Sequence, residues 1–261
     1  MEVDVAVAGG ALSMTVLGAG PALLMLHGWT LDRRMWRPQV DGLSAGATLL
    51  LPDRRGFGRS GAPPGLAREP DDIPALLDHA GLPSAVLVGH SQAGRVALTA
   101  AARYPDRVAG LILLAAPHDG VSIDPVAEPP LPLALLTERV RAGDLPAARA
   151  LWRAHPMLRV ADPVTARLLD DILGDYQGRD LLIPAQPLPV TDDLLAGITA
   201  PALVLVGDRD APSRVQAADR LRRGLSGATM HMLLGAGHMA NVSHADPCNR
   251  AIGEFLARHL R

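Results

Sequence analysis

Three residues far apart in the 261-residue chain have the types needed to open a carbonyl group: Ser91, Asp210 and His238. A serine hydroxyl is a weak nucleophile at neutral pH, so it needs a base within hydrogen-bond reach and a third group to orient that base. Ser91 lies in Val86-Leu87-Val88-Gly89-His90-Ser91-Gln92-Ala93-Gly94-Arg95, an apolar run that stops at a serine between small residues and then turns helical. Such a strand, tight turn and helix start lifts the hydroxyl out of a sheet and points neighbouring backbone N–H groups at whatever it attacks. Gly89 supplies the first small position; the second, a glycine in the G-x-S-x-G pattern, is Ala93 here, with Gly94 directly after it. His238, in Gly235-Ala236-Gly237-His238-Met239, follows the last predicted strand, where a loop can return it over Ser91. Asp210 follows the strand before that one, a place from which a carboxylate can hold the imidazole in its productive tautomer. The order Ser, Asp, His is the one this kind of turn calls for. Asp119, after the strand that follows the nucleophile helix, is an alternative acid, and Asp208 a weaker one. The backbone N–H groups of Gln92 and Trp29 are the candidate oxyanion donors.

The elements that must position these groups are legible in the same chain. Val3, Val5 and Val7 alternate with Asp4 and Ala6, and after Gly9-Gly10 a second run, Leu12 to Leu17, follows at hairpin spacing. Ala22 to Leu26, Ala47 to Leu51, Val86 to Val88, Val108 to Leu114 and Ala202 to Val206 are apolar throughout, as strands covered on both faces are. Helices are expected over Arg33 to Leu43, with Pro38 arguing for a break or late start, over Asp71 to Ala80, from Ser91 to about Tyr104, and over Ser213 to Arg223 and Asp246 to His259. Thr229 to Leu233 is the last strand. Strands and helices alternating in this way imply parallel βαβ units in one sheet with helices on both faces, and ligands bind beyond the carboxyl ends of such strands. From about Gly120 the pattern changes: prolines at 125, 129, 130 and 132 give way to helical spacing over Leu133 to Ala142, Leu145 to Ala154 and Val164 to Leu173, without intervening strands. The expected organisation is a core of residues 1–120 and 197–261 with a helical cap inserted at 121–196, a lid being a known use for such a length of chain.

Bulk composition narrows the partners. Nearly half the residues are hydrophobic and the formal net charge is −2, which supports one large core and gives no field to attract nucleic acid or an anionic membrane. Every basic residue is arginine. A single cysteine, Cys248, can neither staple the fold nor build a thiolate metal site, and its helical setting favours an inert packed residue. No basic-then-apolar leader opens the chain and no apolar run reaches the roughly 18 residues of a membrane span, so a cytoplasmic location is expected. The histidines show no His-x-x-x-His or His-x-His pair with carboxylates, and no metal or other cofactor is expected.

The motifs occur in a recognisable order: His27-Gly28 before the oxyanion loop, Asp53-Arg54-Arg55-Gly56-Phe57-Gly58-Arg59-Ser60, Gly89-His90-Ser91-Gln92-Ala93-Gly94, Gly207-Asp208-Arg209-Asp210 and Gly237-His238. Along essentially its whole length the chain resembles the α/β-hydrolase superfamily, and more narrowly small bacterial esterases and enol-lactonase-like members. That resemblance implies a mostly parallel eight-stranded sheet, helices on both faces and an inserted helical cap. It also implies a cofactor-free serine hydrolase acting on a carboxylic ester or lactone through an acyl-enzyme. The superfamily equally contains C–C bond hydrolases, thioesterases and lyases using the same triad, and a non-catalytic binder on this fold is the reading from outside enzymology. Leu133, Leu135, Leu136, Leu151 and Met157 make the cap apolar, which favours a small-molecule substrate with an apolar acyl or ring group. His27, His118, Trp152 and Tyr176 are candidate substrate contacts. For His27 and His90 the competing role is a packed, hydrogen-bonded support, and for Tyr176 it is packing between lid and body. Arg54 and Arg55 read as solvated or structural.

Overall fold

A computed structural model describes residues 1–184 and 186–260; Ala185, inside the expected cap, and Arg261, at the end of the expected core, lie outside the described residues. Eight strands, β1 (Glu2–Val7), β2 (Gly10–Gly18), β3 (Ala22–Leu26), β4 (Thr48–Pro52), β5 (Ala85–His90), β6 (Val108–Leu114), β7 (Ala202–Gly207) and β8 (Thr229–Leu233), form one sheet in the order β1-β2-β4-β3-β5-β6-β7-β8. β1 pairs with β2, and β2 with β4, in antiparallel fashion. Every other neighbouring pair is parallel. The serine strand β5 is therefore central, flanked by β3 and β6, and its carboxyl end opens beside those of β6 and β7.

The period-two alternation of side chains divides the buried residues into two layers. Leu23, Met25, Val86, Val88, Ile112 and Leu205 point to one face. It is covered by α1 (Arg37–Leu43) and, at the far end of the chain, α9 (Ala240–Ser243) and α10 (Ala245–His259). Leu24, Leu87, Leu111, Leu113 and Val204 point to the other face, which is covered by α2 (Ile73–His79), α3 (Gln92–Arg103) and α8 (Pro212–Gly224). Apolar residues on both sides of each inner strand explain why those strands read as unbroken hydrophobic runs.

The helix expected from Arg33 starts late. Arg33–Trp36 is a 3₁₀ turn capped by the Asp32 carboxylate, which accepts from Arg34 N, and α1 begins at Arg37 with Pro38 in its first turn. Proline lacks the N–H that an interior helical position requires but loses nothing in a first turn.

Between β6 and β7 the chain forms α4 (Leu133–Arg141), α5 (Leu145–Arg153) and α6 (Pro163–Asp175), whose buried residues Leu136, Trp152, Leu169 and Ile172 continue the first apolar layer. The return segment behaves differently: Leu188, Val190 and, in the short helix α7 (Asp192–Ala196), Leu195 are bedded in the second layer with α3 and α8. No described helix is long and apolar enough to cross a membrane. Cys248 is buried in the first layer, and burial pushes its thiol up to about 12.

Candidate active site

Ser91 sits at the turn between β5 and α3 with φ 52° and ψ −120°, a backbone conformation that costs a non-glycine residue of order 1–3 kcal/mol. The surroundings fix it there: Ser91 N donates to Leu114 O at 2.8 Å and Gly94 N donates to Ser91 O at 2.9 Å. Strand and helix approach so closely that a Cβ on Gly89 would lie 2.7 Å from Ala93 O, and one on Gly94 2.4 Å from Ala116 Cβ. The methyl of Ala93 is fully buried in the second apolar layer. The positions that tolerate no side chain are thus 89 and 94, which is how the chain departs from G-x-S-x-G and still makes the turn.

His238, returned by the loop after β8, brings Nε2 to 2.9 Å from Ser91 Oγ, while its Nδ1 is 3.0 Å from each carboxylate oxygen of Asp210. Asp210 is further fixed by accepting from Ala211 N at 2.7 Å. All three side chains are buried. An Nδ1–H held by the carboxylate leaves the Nε2 lone pair facing the serine hydroxyl, the arrangement a general base needs. Asp119, the alternative acid, is placed elsewhere: it pairs with both terminal nitrogens of Arg95 and accepts from Val190 N. Asp208 accepts from Gly235 N and serves the β8 turn.

His90 supports His238 from below. Its Nε2–H donates to His238 O at 3.0 Å, and burial together with the neighbouring His238 pushes it down to about 3, so it stays neutral.

The candidate oxyanion donors lie on two segments braced by one arginine. Gln92 opens α3, so its N–H has no partner within the helix, and Trp29 N–H finds no acceptor among the described residues. Arg54 Nη2 donates to Gln92 Oε1 and its Nη1 donates to His27 O, just before the Trp29 turn. Glu69, buried, holds the other edge of that guanidinium. Arg55 forms a second buried pair with Asp72. Both arginines are structural and neither is solvated. His27 Nδ1–H donates to Gly28 O while Nε2 accepts from Arg54 N; burial and Arg54 hold its pKa well below the usual range. It is wholly buried and does not reach the cavity, so the expected substrate contact is corrected to a support.

Above Ser91 opens a cavity of about 700 Å³, walled chiefly by apolar side chains such as Leu31, Leu133, Met157, Leu158, Leu181 and Ile183. Trp152 lines it, with its ring centroid 4.9 Å from that of Trp29. His118 also lines it; its Nδ1 accepts from Gly120 N and its Nε2 lies 3.1 Å from Asp192. Tyr176 does not. Its hydroxyl donates to Asp180 and its ring stacks on Phe57, because a buried phenol takes the nearest acceptor. The same Asp180 accepts from Trp29 Nε1, and Trp152 Nε1 donates to Thr30 Oγ1, so two bonds tie the segment between β6 and β7 to the Trp29–Thr30 loop. Arg54, Glu69, Thr30 and Asp180 were not singled out as site residues by sequence; the only trace is that buried arginines and acids recur after β4, in Asp53 to Asp72.

The fold and the relay define one class of protein. The alpha/beta hydrolase fold family model matches residues 21–160, and the chain belongs to that family. Over its length it is similar to RutD of Variovorax paradoxus, provisionally assigned as a carbamate hydrolase (33% identity; 92% of each chain). It is also similar to the pimeloyl-[acyl-carrier protein] methyl ester esterase of Chromobacterium violaceum (31%; 94% of this chain, 98% of the other). Among solved structures, the enol-lactonase from Burkholderia xenovorans LB400 superposes with a TM-score of 0.80 at 25% identity, covering 98% of this chain and all of the other.

Proposed function

We propose that the protein is a cofactor-free serine hydrolase that cleaves a carboxylic ester or lactone with an apolar body. The observation that carries this reading is the unbroken path from Asp210 through His238 to Ser91 Oγ beneath an apolar cavity. His238 Nε2 takes the hydroxyl proton as Ser91 Oγ bonds to the carbonyl carbon, and the N–H groups of Trp29 and Gln92 hold the oxyanion that forms. Asp210 stabilises the resulting imidazolium. Collapse of the tetrahedral intermediate breaks the carbon–oxygen bond, His238 returns the proton to the leaving alkoxide, and an acyl-enzyme remains. Water, deprotonated by His238, then displaces Ser91 and releases the acid. The relatives' esterase and enol-lactonase names agree with this chemistry. Residues 121–196 act as the lid over a core of 1–120 and 197–261, with α7 bedded on that core.

The test is a panel of matched esters, lactones, thioesters and aryl carbamates, with acid products identified by mass and Ser91→Ala alongside. Ester or lactone turnover that vanishes in Ser91→Ala is expected. Faster cleavage of the carbamates would shift the substrate class toward that of the RutD relative, and turnover retained in Ser91→Ala would sink the reading.

A further inference from the structure

Two arginines that line the cavity have no acceptor among the described residues: Arg141, exposed at the rim, and Arg214, set into the wall. Arg214, a half-buried residue in the first turn of α8 and four residues after Asp210, lines the cavity, and its buried Nε has no hydrogen-bond acceptor among the described residues. Buried guanidinium groups are ordinarily forked onto a carboxylate, because an unpaired one forfeits its hydration without recompense. The carboxylates whose fields reach it are Asp210, Glu128 and Asp119, and each is committed elsewhere. Asp210 is bonded to His238 and Ala211 N. Glu128, coming from the segment ahead of the cap helices, accepts from both Ser213 N and Ser213 Oγ at the start of α8. Asp119 is taken by Arg95 and Val190 N. Burial pushes the Arg214 pKa down and Asp210 and Glu128 oppose that shift, yet arginine's range is so high that the charge persists. Most of the other lining residues are apolar, and of the charged ones Arg95 is paired with Asp119, Asp180 accepts from Trp29 and Tyr176, and Arg141 is exposed at the rim, so Arg214 is the unpaired fork of N–H donors set into the wall.

We propose that Arg214 is a specificity-determining residue that binds a free carboxylate of the substrate, making the preferred substrate an apolar chain or ring that carries a single acid in addition to the ester. This deepens the hydrolase reading and rests on it for the word substrate, but the recognition itself is independent of turnover. A planar guanidinium pairs with a carboxylate through two parallel charge-assisted bonds, and it supplies the anion that the protein withholds. The inference narrows the expectation drawn from the leucine-rich cap: the body stays apolar and one charge is added.

The experiment measures binding by calorimetry to Ser91→Ala protein, which removes the nucleophile, using the monomethyl and dimethyl esters of straight-chain diacids with four to eight carbons. The monoester of at least one chain length is expected to bind roughly tenfold to a hundredfold more tightly than its diester. Adding Arg214→Gln brings the two within about threefold while diester affinity holds, which shows that the cavity is intact; Arg214→Lys retains part of the preference. Arg141→Gln, which removes an exposed cation at the cavity rim, leaves the preference unchanged. Equal binding of mono- and diesters at every length would overturn the proposal. So would a preference lost in Arg141→Gln and kept in Arg214→Gln, or an equal loss of both ligands in Arg214→Gln. A failure of the hydrolase reading shows separately, as absent turnover by the protein with Ser91 intact.

Discussion

Trp152 Nε1 donates to Thr30 Oγ1 at 2.7 Å, a bond that joins the second cap helix to the loop carrying Trp29 N–H. Thr30 has φ 64°, so the loop is held in a left-handed conformation next to its own anchor. On the proposed reading, α5 thereby helps to set the position of a candidate oxyanion donor as well as contributing Trp152 to the cavity wall. Trp152→Phe keeps the ring and removes the bond. A neutral hydrogen bond is worth about 0.5–1.5 kcal/mol, so kcat/KM on a short ester is expected to fall roughly threefold to tenfold, with the thermal midpoint little changed. A steady-state comparison against the unaltered protein checks it; unchanged kinetics would detach the cap from the donor loop.

The division of labour between the two acids gives a sharper contrast. Asp210→Asn, keeping the shape but presenting an amide to His238 Nδ1, is expected to lower kcat by about 10³-fold or more through the wrong tautomer. Asp119→Asn weakens the ion pair with Arg95 but removes no bond to His238, and it is expected to change kcat by less than about threefold. Reversed magnitudes in the two variants would reassign the triad.

How far these groups were legible depended on whether their partners are local. β5, its turn and α3 are written into one stretch, because an apolar strand, a serine and small residues must follow one another for the turn to exist. Asp210 and His238 were found because each ends a strand of the same sheet. The late start of α1 was signalled by Pro38, a local rule. The bonds from Trp152 to Thr30 and from Trp29 to Asp180 span 122 and 151 residues, and no spacing in the chain announces them. Tyr176 was offered as a substrate contact because it is an aromatic in the expected cap, and His27 because it follows a strand end, yet each is captured by a nearby acceptor or donor that only packing reveals. Arg214 stood out in no motif, since what marks it is the absence of a partner.

The buried pair of Arg54 and Glu69 predicts a stability effect. Arg54→Met leaves Glu69 buried without its cation and is expected to cost about 3–5 kcal/mol, whereas the double change Arg54→Met with Glu69→Met should recover most of that loss. Urea unfolding of the two variants distinguishes these values. Activity should not return in the double variant, because Gln92 and His27 O lose the donors that brace them.

His90 predicts how stability varies with pH. Its folded pKa, about 3, lies below the ordinary histidine value of 6.5, so the unfolded chain binds the extra proton first. The stabilisation is fully present above pH 6.5 and is lost as pH falls from there toward 3, at a limiting slope of about 1.4 kcal/mol per pH unit. His90→Gln is expected to flatten the acid side of the stability profile between pH 6.5 and 4. Parallel profiles for the two proteins would show that another group titrates there.

The most direct measurement is the intact mass of the protein after exposure to a fluorophosphonate, with Ser91→Ala treated in parallel. Phosphonylation requires a serine whose proton has somewhere to go, which is what the 2.9 Å contact from Ser91 Oγ to His238 Nε2 provides. One adduct per chain, absent from Ser91→Ala and strongly slowed in Asp210→Asn, is the predicted result. A folded protein that takes up no adduct, or takes it up equally without Ser91, would contradict the account.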